Sequence, residues 1–315
     1  MNNRTQFITG LIHFAIYSVL LLGTMMVPAI ELITVFVLPI PFLLFTSKYG
    51  WKSGLVFGLI TVSFTTILLS VVTVPFSLVA AIGGTMIGES IHQKRGAYET
   101  WARGSLGAIV GIMLSFLFIQ SVFSINIVEE IRQSIHESIE TSEEMLSSFG
   151  LDSSEANMDL VLDQMLHVLD LLPVVIAVIG ILLAFITQWI GYKVTYLVEK
   201  RKLLFPPFRQ FRLPVSVVWF YFIGIVLMWF VTEDSGMMYQ AAINISNLAG
   251  FLVTLQGLSF VFFYTHKKRL SKAIPVITIV IAVLFPFIGL YLVRILGIID
   301  LGFGLRDLLS DEKKK

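Results

Sequence analysis

The sequence predicts an all-α fold: a polytopic transmembrane helix bundle of about nine spans with an external acidic helical hairpin. Three observations carry that prediction. Of 315 residues, 56% are hydrophobic and only 14% charged, whereas soluble domains carry about a quarter charged residues. Apolar runs of about 20 residues recur along the chain, each long enough to cross roughly 30 Å of hydrocarbon as a helix. Finally, 11 of the 21 acidic residues fall within residues 125–171, which leaves the remainder barer still.

The spans are expected near 8–27, 32–46, 54–74, 76–91, 104–124, 172–192, 214–232, 240–264 and 273–293. The first follows MNNRTQFITG and lacks a small-residue cleavage site, so it reads as a retained span and not a signal peptide. Pro39 and Pro41 interrupt the second, which neighbouring helices must then shield. The organisation is spans one to five in 1–124, the hairpin in 125–171, spans six to nine in 172–293, and a charged tail in 294–315.

Basic residues set the orientation. Arg4, Lys48, Lys52, Lys94, Arg95, Arg103, Lys193, Lys200–Lys202, Arg209, Arg212, Lys267–Arg269 and Lys272 all fall on alternate loops, and before the ninth span only Arg132 lies opposite. The excess marks these loops, and the N-terminus, as cytoplasmic in a bacterial cell membrane. Nine spans put the tail DLLSDEKKK outside, against that rule; Pro286 and Arg294 allow a broken or returning helix as the alternative. Trp51, Tyr98 and Trp101 flank the cytoplasmic ends as interfacial anchors.

Glycines four apart recur in three consecutive spans: Gly54 with Gly58, Gly84 with Gly88, and Gly107 with Gly111. Residues at i and i+4 share a helix face, and glycine lets backbones approach closely, which suits helix packing or a surface for a partner. Glu89, beside the second pair and before Lys94 and Arg95, reads as an interfacial helix end, with ion coupling as the alternative. Among the other polar residues near or within spans, Glu31, Gln120, Asn244 and Asn247 are the candidates for a solute site open to the outside, against the plainer reading of interhelical hydrogen bonding.

In the acidic segment, Val128, Ile131, Ile135, Ile139, Leu146 and Phe149 recur at helical spacing. Gly150 ends that helix, Asp152 and Glu155 form a capping box, and Met158, Leu162, Met165, Leu169 and Leu172 make a second stripe. Two antiparallel arms satisfy both patterns, the first continuous with span five. Their acidic faces avoid anionic headgroups and offer a surface to an extracytoplasmic partner. A non-transporting scaffold or signalling partner, acting through this hairpin and the cytoplasmic loops, is therefore the alternative to a transporter-like protein that binds a solute. His136 and Glu140 imitate the HExxH zinc motif with glutamate in place of the second histidine, and no further ligand framework accompanies them, so no metal is expected. There is no cysteine, P-loop, G-x-S-x-G or kinase signature. The chain is therefore expected to be neither an enzyme nor its own ATP motor, and to need no cofactor and no nucleic acid.

The blocks KYGWKSGLVFG (48–58), GGTMIGESIHQKRG (83–96) and LGIIDLGFGLRD (296–307) resemble those of the YybS-like family, multi-spanning membrane proteins of Bacillus and related bacteria. The first six spans also resemble the S components of energy-coupling-factor transporters. That resemblance implies a small solute or lipid bound near the outer face, with a separate transmembrane coupling protein and ATPases as partners. The acidic insertion, the three extra spans and the lack of an AxxxA pattern in 8–27 depart from that family.

Overall fold

The computed structural model describes residues 3–27, 29–149, 158–231 and 236–311. These residues form helices and turns with no strand among them. In chain order the helices are α1 (Asn3–Met26), α2 (Glu31–Thr34), α3 (Ile40–Tyr49), α4 (Trp51–Leu68), α5 (Val74–His92), α6 (Ala97–Phe123) and α7 (Ile127–Ser148). They continue with α8 (Met158–His167), α9 (Leu172–Glu199), α10 (Ser216–Trp229), α11 (Met237–Lys267), α12 (Ala273–Leu284), α13 (Pro286–Phe303) and α14 (Leu305–Asp311). Among the described residues, seven helical stretches are long and apolar enough to cross a membrane. Their outward side chains are large and apolar, as at Leu59, Ile67 and Phe287, which is the surface that lipid in place of water selects. The protein is a multi-pass integral membrane protein.

The chain divides into two compact units, one comprising 1–169 and 175–205, the other 170–174 and 206–315. In the first unit the expected second span is broken. A turn of helix at α2 is followed by hydrogen-bonded turns over 35–39, where the regular α ladder lapses, and then by α3. From Ile40 to Ser47 every residue is buried. Phe42 and Phe45 pack with Tyr17, Leu21 and Phe57 on one side, while Leu43 and Leu44 pack with Ile87, Ile91 and Tyr192 on another. A helix buried all round is the axis of its unit. Pro39 and Pro41 shorten its hydrogen-bonded ladder, and the freed backbone is answered from neighbours: Thr187 Oγ1 donates to the Phe36 carbonyl at 3.0 Å.

The glycines set how close the helices come to this axis. A Cβ at Gly84 would collide with the Pro39 carbonyl, and one at Gly88 would stand 2.5 Å from the Leu43 carbonyl oxygen. Gly54 faces the Thr46 side chain, Gly107 faces Met86, and Gly111 faces the backbone of Val79; Gly58 has more room, 3.5 Å from Ala81. Gly50 turns the chain between α3 and α4 with φ +80, a conformation that a side chain rarely adopts.

Two expectations about continuity fail for identifiable reasons. Span five does not run into the first acidic arm: Ser124 adopts a left-handed conformation, and Asn126 Oδ1 accepts from Val128 N and Glu129 N at 3.1 and 3.3 Å, capping a new helix. α7 and α8 lie in contact, with Met165 lining the same groove as Ile131 and Ile135. The positions expected to end the first arm and cap the second, Gly150, Asp152 and Glu155, lie outside the described residues.

The expected ninth span is also two helices. α12 ends at Leu284, Phe285 turns the chain, and Pro286 opens α13, in keeping with the fixed φ and missing N–H of proline. Twelve residues of α12 reach only about 18 Å. α13 then runs alongside α11 in the same direction, the two crossing where Gly257 and Gly297 bring their backbones together. The second unit is thus an up-down-up-down bundle. Its final helix α14 returns to the end where α10 begins and α11 finishes, fixed there by Arg212–Asp307 and by Lys267 donating to the Leu309 carbonyl. Asp307 and Leu309 therefore stand beside the basic residues Arg212 and Lys267 of this unit.

Candidate functional site

The break before α3 has a cavity beside it. About 410 Å³ of space is walled by Val35, Phe36 and Leu38 at the break, Phe76 and Ala80 of α5, and Ile112 and Phe116 of α6, with Ile179 and Leu183 of α9 closing the side. The volume falls in the range of about 300–1,000 Å³ typical of small-molecule pockets. Its lining is almost wholly apolar. The single hydroxyl, that of Ser115, donates to the Pro75 and Gly111 carbonyls at 2.9 and 2.8 Å. What the cavity offers a ligand is dispersion and exclusion of water, without charge.

Its position follows from the helix directions. α5 and α9 run toward the basic loops and α6 runs away from them. The lining residues all come from the parts of these helices remote from Lys48, Lys94, Arg95, Arg103 and Lys200.

Glu31 and Gln120 belong to the first unit, half-buried and exposed, and Asn244 and Asn247 belong to the second. Asn244 is occupied by backbone: its Nδ2 donates to the Asp170 carbonyl at 2.7 Å, and its Oδ1 accepts from Val174 N at 3.1 Å. Asn247 donates to the Ile243 carbonyl of its own helix at 2.8 Å.

Glu89 accepts a 2.6 Å hydrogen bond from Gln93 Nε2, while its Oε2 is buried without a hydrogen-bond partner. Its neighbours Lys94 and Arg95 form no ion pair with it among the described residues. Arg95 bridges Glu99 at 3.1 Å, because the chain turns at Lys94 with φ 56 and aims the arginine at the next helix. His92, three residues on, sets Nδ1 at 3.1 Å from the Ser47 carbonyl beside Gly50. The sequence blocks 48–58 and 83–96 thus meet across the buried α3. Trp101, expected at the lipid interface, instead turns inward and donates to the Ile181 carbonyl of α9 at 2.9 Å.

The third block, 296–307, builds a polar knot at the basic end of the second unit. Asp300 and Arg306 are 1% and 6% exposed, and Arg306 Nε donates to Asp300 Oδ2 at 2.9 Å. Gln256 Nε2 donates to the same oxygen at 2.5 Å, and its Oε1 accepts from Leu213 N. Arg306 also donates to the Arg209 and Phe211 carbonyls and to Ser259 Oγ. Burial pushes its guanidinium below the ordinary arginine value, against the pull of Asp300. In the sequence this block stands out only by its resemblance to the YybS-like family. The available signal was Gly304, whose φ of +62 reverses the chain so that Arg306 reaches back to Asp300.

Among known proteins, the chain is 28% identical over 308 residues to "Uncharacterized protein YybS" of Bacillus subtilis (strain 168), covering 98% of this chain and 99% of that one. No solved structure matches. The family model described as "Predicted membrane protein (DUF2232)" matches residues 15–301. Spanning the broken second helix, both glycine-bearing blocks and Asp300, that match makes the chain a member of the DUF2232 family of membrane proteins.

Proposed function

We propose that the protein is a transporter-like membrane protein that binds an apolar small molecule or lipid chain in the cavity beside the break before α3. One observation carries the reading: an interrupted helix, buried from Ile40 to Ser47 after its interruption, with about 410 Å³ of apolar space at the interruption. Irregular backbone at membrane depth is tolerated where it is buried or lines a cavity, and interrupted helices commonly form the sites of transporters.

The S-component resemblance of the first six spans supports the reading, since α1, the α2–α3 pair, α4, α5, α6 and most of α9 fall in one compact unit. With the basic loops cytoplasmic, the cavity lies in the outer half of a bacterial cell membrane, open to a ligand arriving from outside. A separate transmembrane coupling protein and ATPases would supply energy, since the chain has no nucleotide-binding motif. The acidic helices α7 and α8 would then face outward, where a partner or the ligand path is met.

The test is native mass spectrometry of the full chain after mild detergent extraction. A co-purifying apolar ligand is expected, lost in Ile179→Trp, which fills the cavity from its half-exposed rim while the melting temperature holds. Recovery of the intact protein with neither ligand nor coupling subunit overturns the reading.

A further inference from the structure

The second unit contains a larger cavity of a different character. About 850 Å³ lies where α11 ends, α12 begins and the segment 207–209 crosses beneath them. Arg209, His266, Lys267, Arg269 and Lys272 line it, and no Asp or Glu does. The remaining wall is apolar, with Phe262, Pro275 and Val276 among it. Among the described residues, none of the four lysines and arginines stands within ion-pair distance of a carboxylate. The nearby acids are committed elsewhere: Asp307 takes two bonds from Arg212, and Asp300 is held by Arg306. Thr265, another lining residue, is 4% exposed, and its hydroxyl has no hydrogen-bond partner.

Charge placed only to orient a chain in the membrane needs no cavity. Here the cations surround one, and its other wall continues onto the apolar flank of α12, where Val276 is exposed. A ligand matching both halves is an amphiphile with an anionic head. Arginine and lysine meet phosphate oxygens with charge-assisted hydrogen bonds, and basic pockets between membrane helices suit phospholipid headgroups.

We propose that this cavity binds the phosphate of an anionic phospholipid, with Arg209, Arg269 and Lys272 around the phosphodiester and the acyl chains along the exposed flank of α12 at Val276. The site is independent of the apolar cavity in the first unit, and the proposal stands or falls without it.

The experiment uses the full chain, delipidated in detergent and titrated with phosphatidylglycerol or with phosphatidylcholine of identical acyl chains. Binding is read by native mass spectrometry and by the shift in melting temperature. Selective binding of phosphatidylglycerol is expected, weakened about thirty-fold in the exposed double variant Arg269→Gln/Lys272→Gln, as two basic groups at an anionic surface imply. The control Lys48→Gln/Lys52→Gln removes the same charge from the first unit and should leave the affinity within about two-fold. Equal binding of the two lipids, or an equal loss in the control, overturns the proposal. Displacement of the lipid by inorganic phosphate at equal concentration assigns the site to a soluble anion and overturns it too.

Discussion

Arg306 donates to Asp300 across 2.9 Å in a place where neither side chain meets solvent. Removing one partner from such a pair leaves a buried charge uncompensated, at a cost of about 3–5 kcal/mol. Arg306→Leu should therefore lower stability by that order in a mixed-micelle unfolding titration. Asp300→Leu/Arg306→Leu should lose less than Arg306→Leu alone. A double variant as unstable as the sum of the singles would show that the two groups are not coupled.

Gly84 and Gly58 make a contrasting pair. An added methyl at Gly84 meets the Pro39 carbonyl and Phe42, whereas at Gly58 it reaches ordinary contact with Ala81 at 3.5 Å. Gly84→Ala should cost about 1–3 kcal/mol by overpacking. Gly58→Ala should be neutral or slightly stabilising through helix propensity. Thermal unfolding of the two variants in one detergent checks the order.

Arg212 and Asp307 form a two-pronged pair, 2.9 and 2.6 Å, at the surface. The hydrogen bonds from Arg212 hold the Asp307 carboxyl below its ordinary value. Its contribution is thus complete above the unfolded value of about 3.9 and is lost as pH falls through the lower folded value. Because the pair is exposed, the effect should be small and weaken with salt. Asp307→Asn should flatten this part of the acid limb of a stability–pH curve measured at low salt, with little change at pH 7.

Asn244 answers two backbone groups at the start of α9. Asn244→Ala should leave a donor and an acceptor without partners and cost about 1–3 kcal/mol, while ligand retention at the apolar cavity is unchanged. Loss of ligand with full stability would instead make this asparagine part of a solute site, as its place in a span first suggests.

Much of the bundle was legible because apolar runs and loop charge are statements about the solvent, which each residue reports singly. Helix ends were less so. Asn126, with Glu129 and Glu130 behind it, is an ordinary N-cap signal, but it is easily passed over after a long apolar run. The return at Phe285–Pro286 was visible as a proline, yet its direction depends on contacts such as Gly289 against Ala282. Neither cavity was legible. Each is assembled from segments distant in sequence, and apolar residues such as Ile112 and Ile179 look alike whether they face lipid or a pocket.

The closing of the second unit by its own last helix has a consequence for biosynthesis. α12 is short for an independent span, and it is expected to enter the membrane together with α13 as a hairpin. Until residues 300–309 have emerged from the ribosome, Gln256, Ser259, Arg212 and Lys267 lack the groups that will engage them. Vectorial synthesis thus leaves this end of the bundle open longest. A chain released a dozen codons before residue 311 would present quality-control proteases with an unclasped basic end.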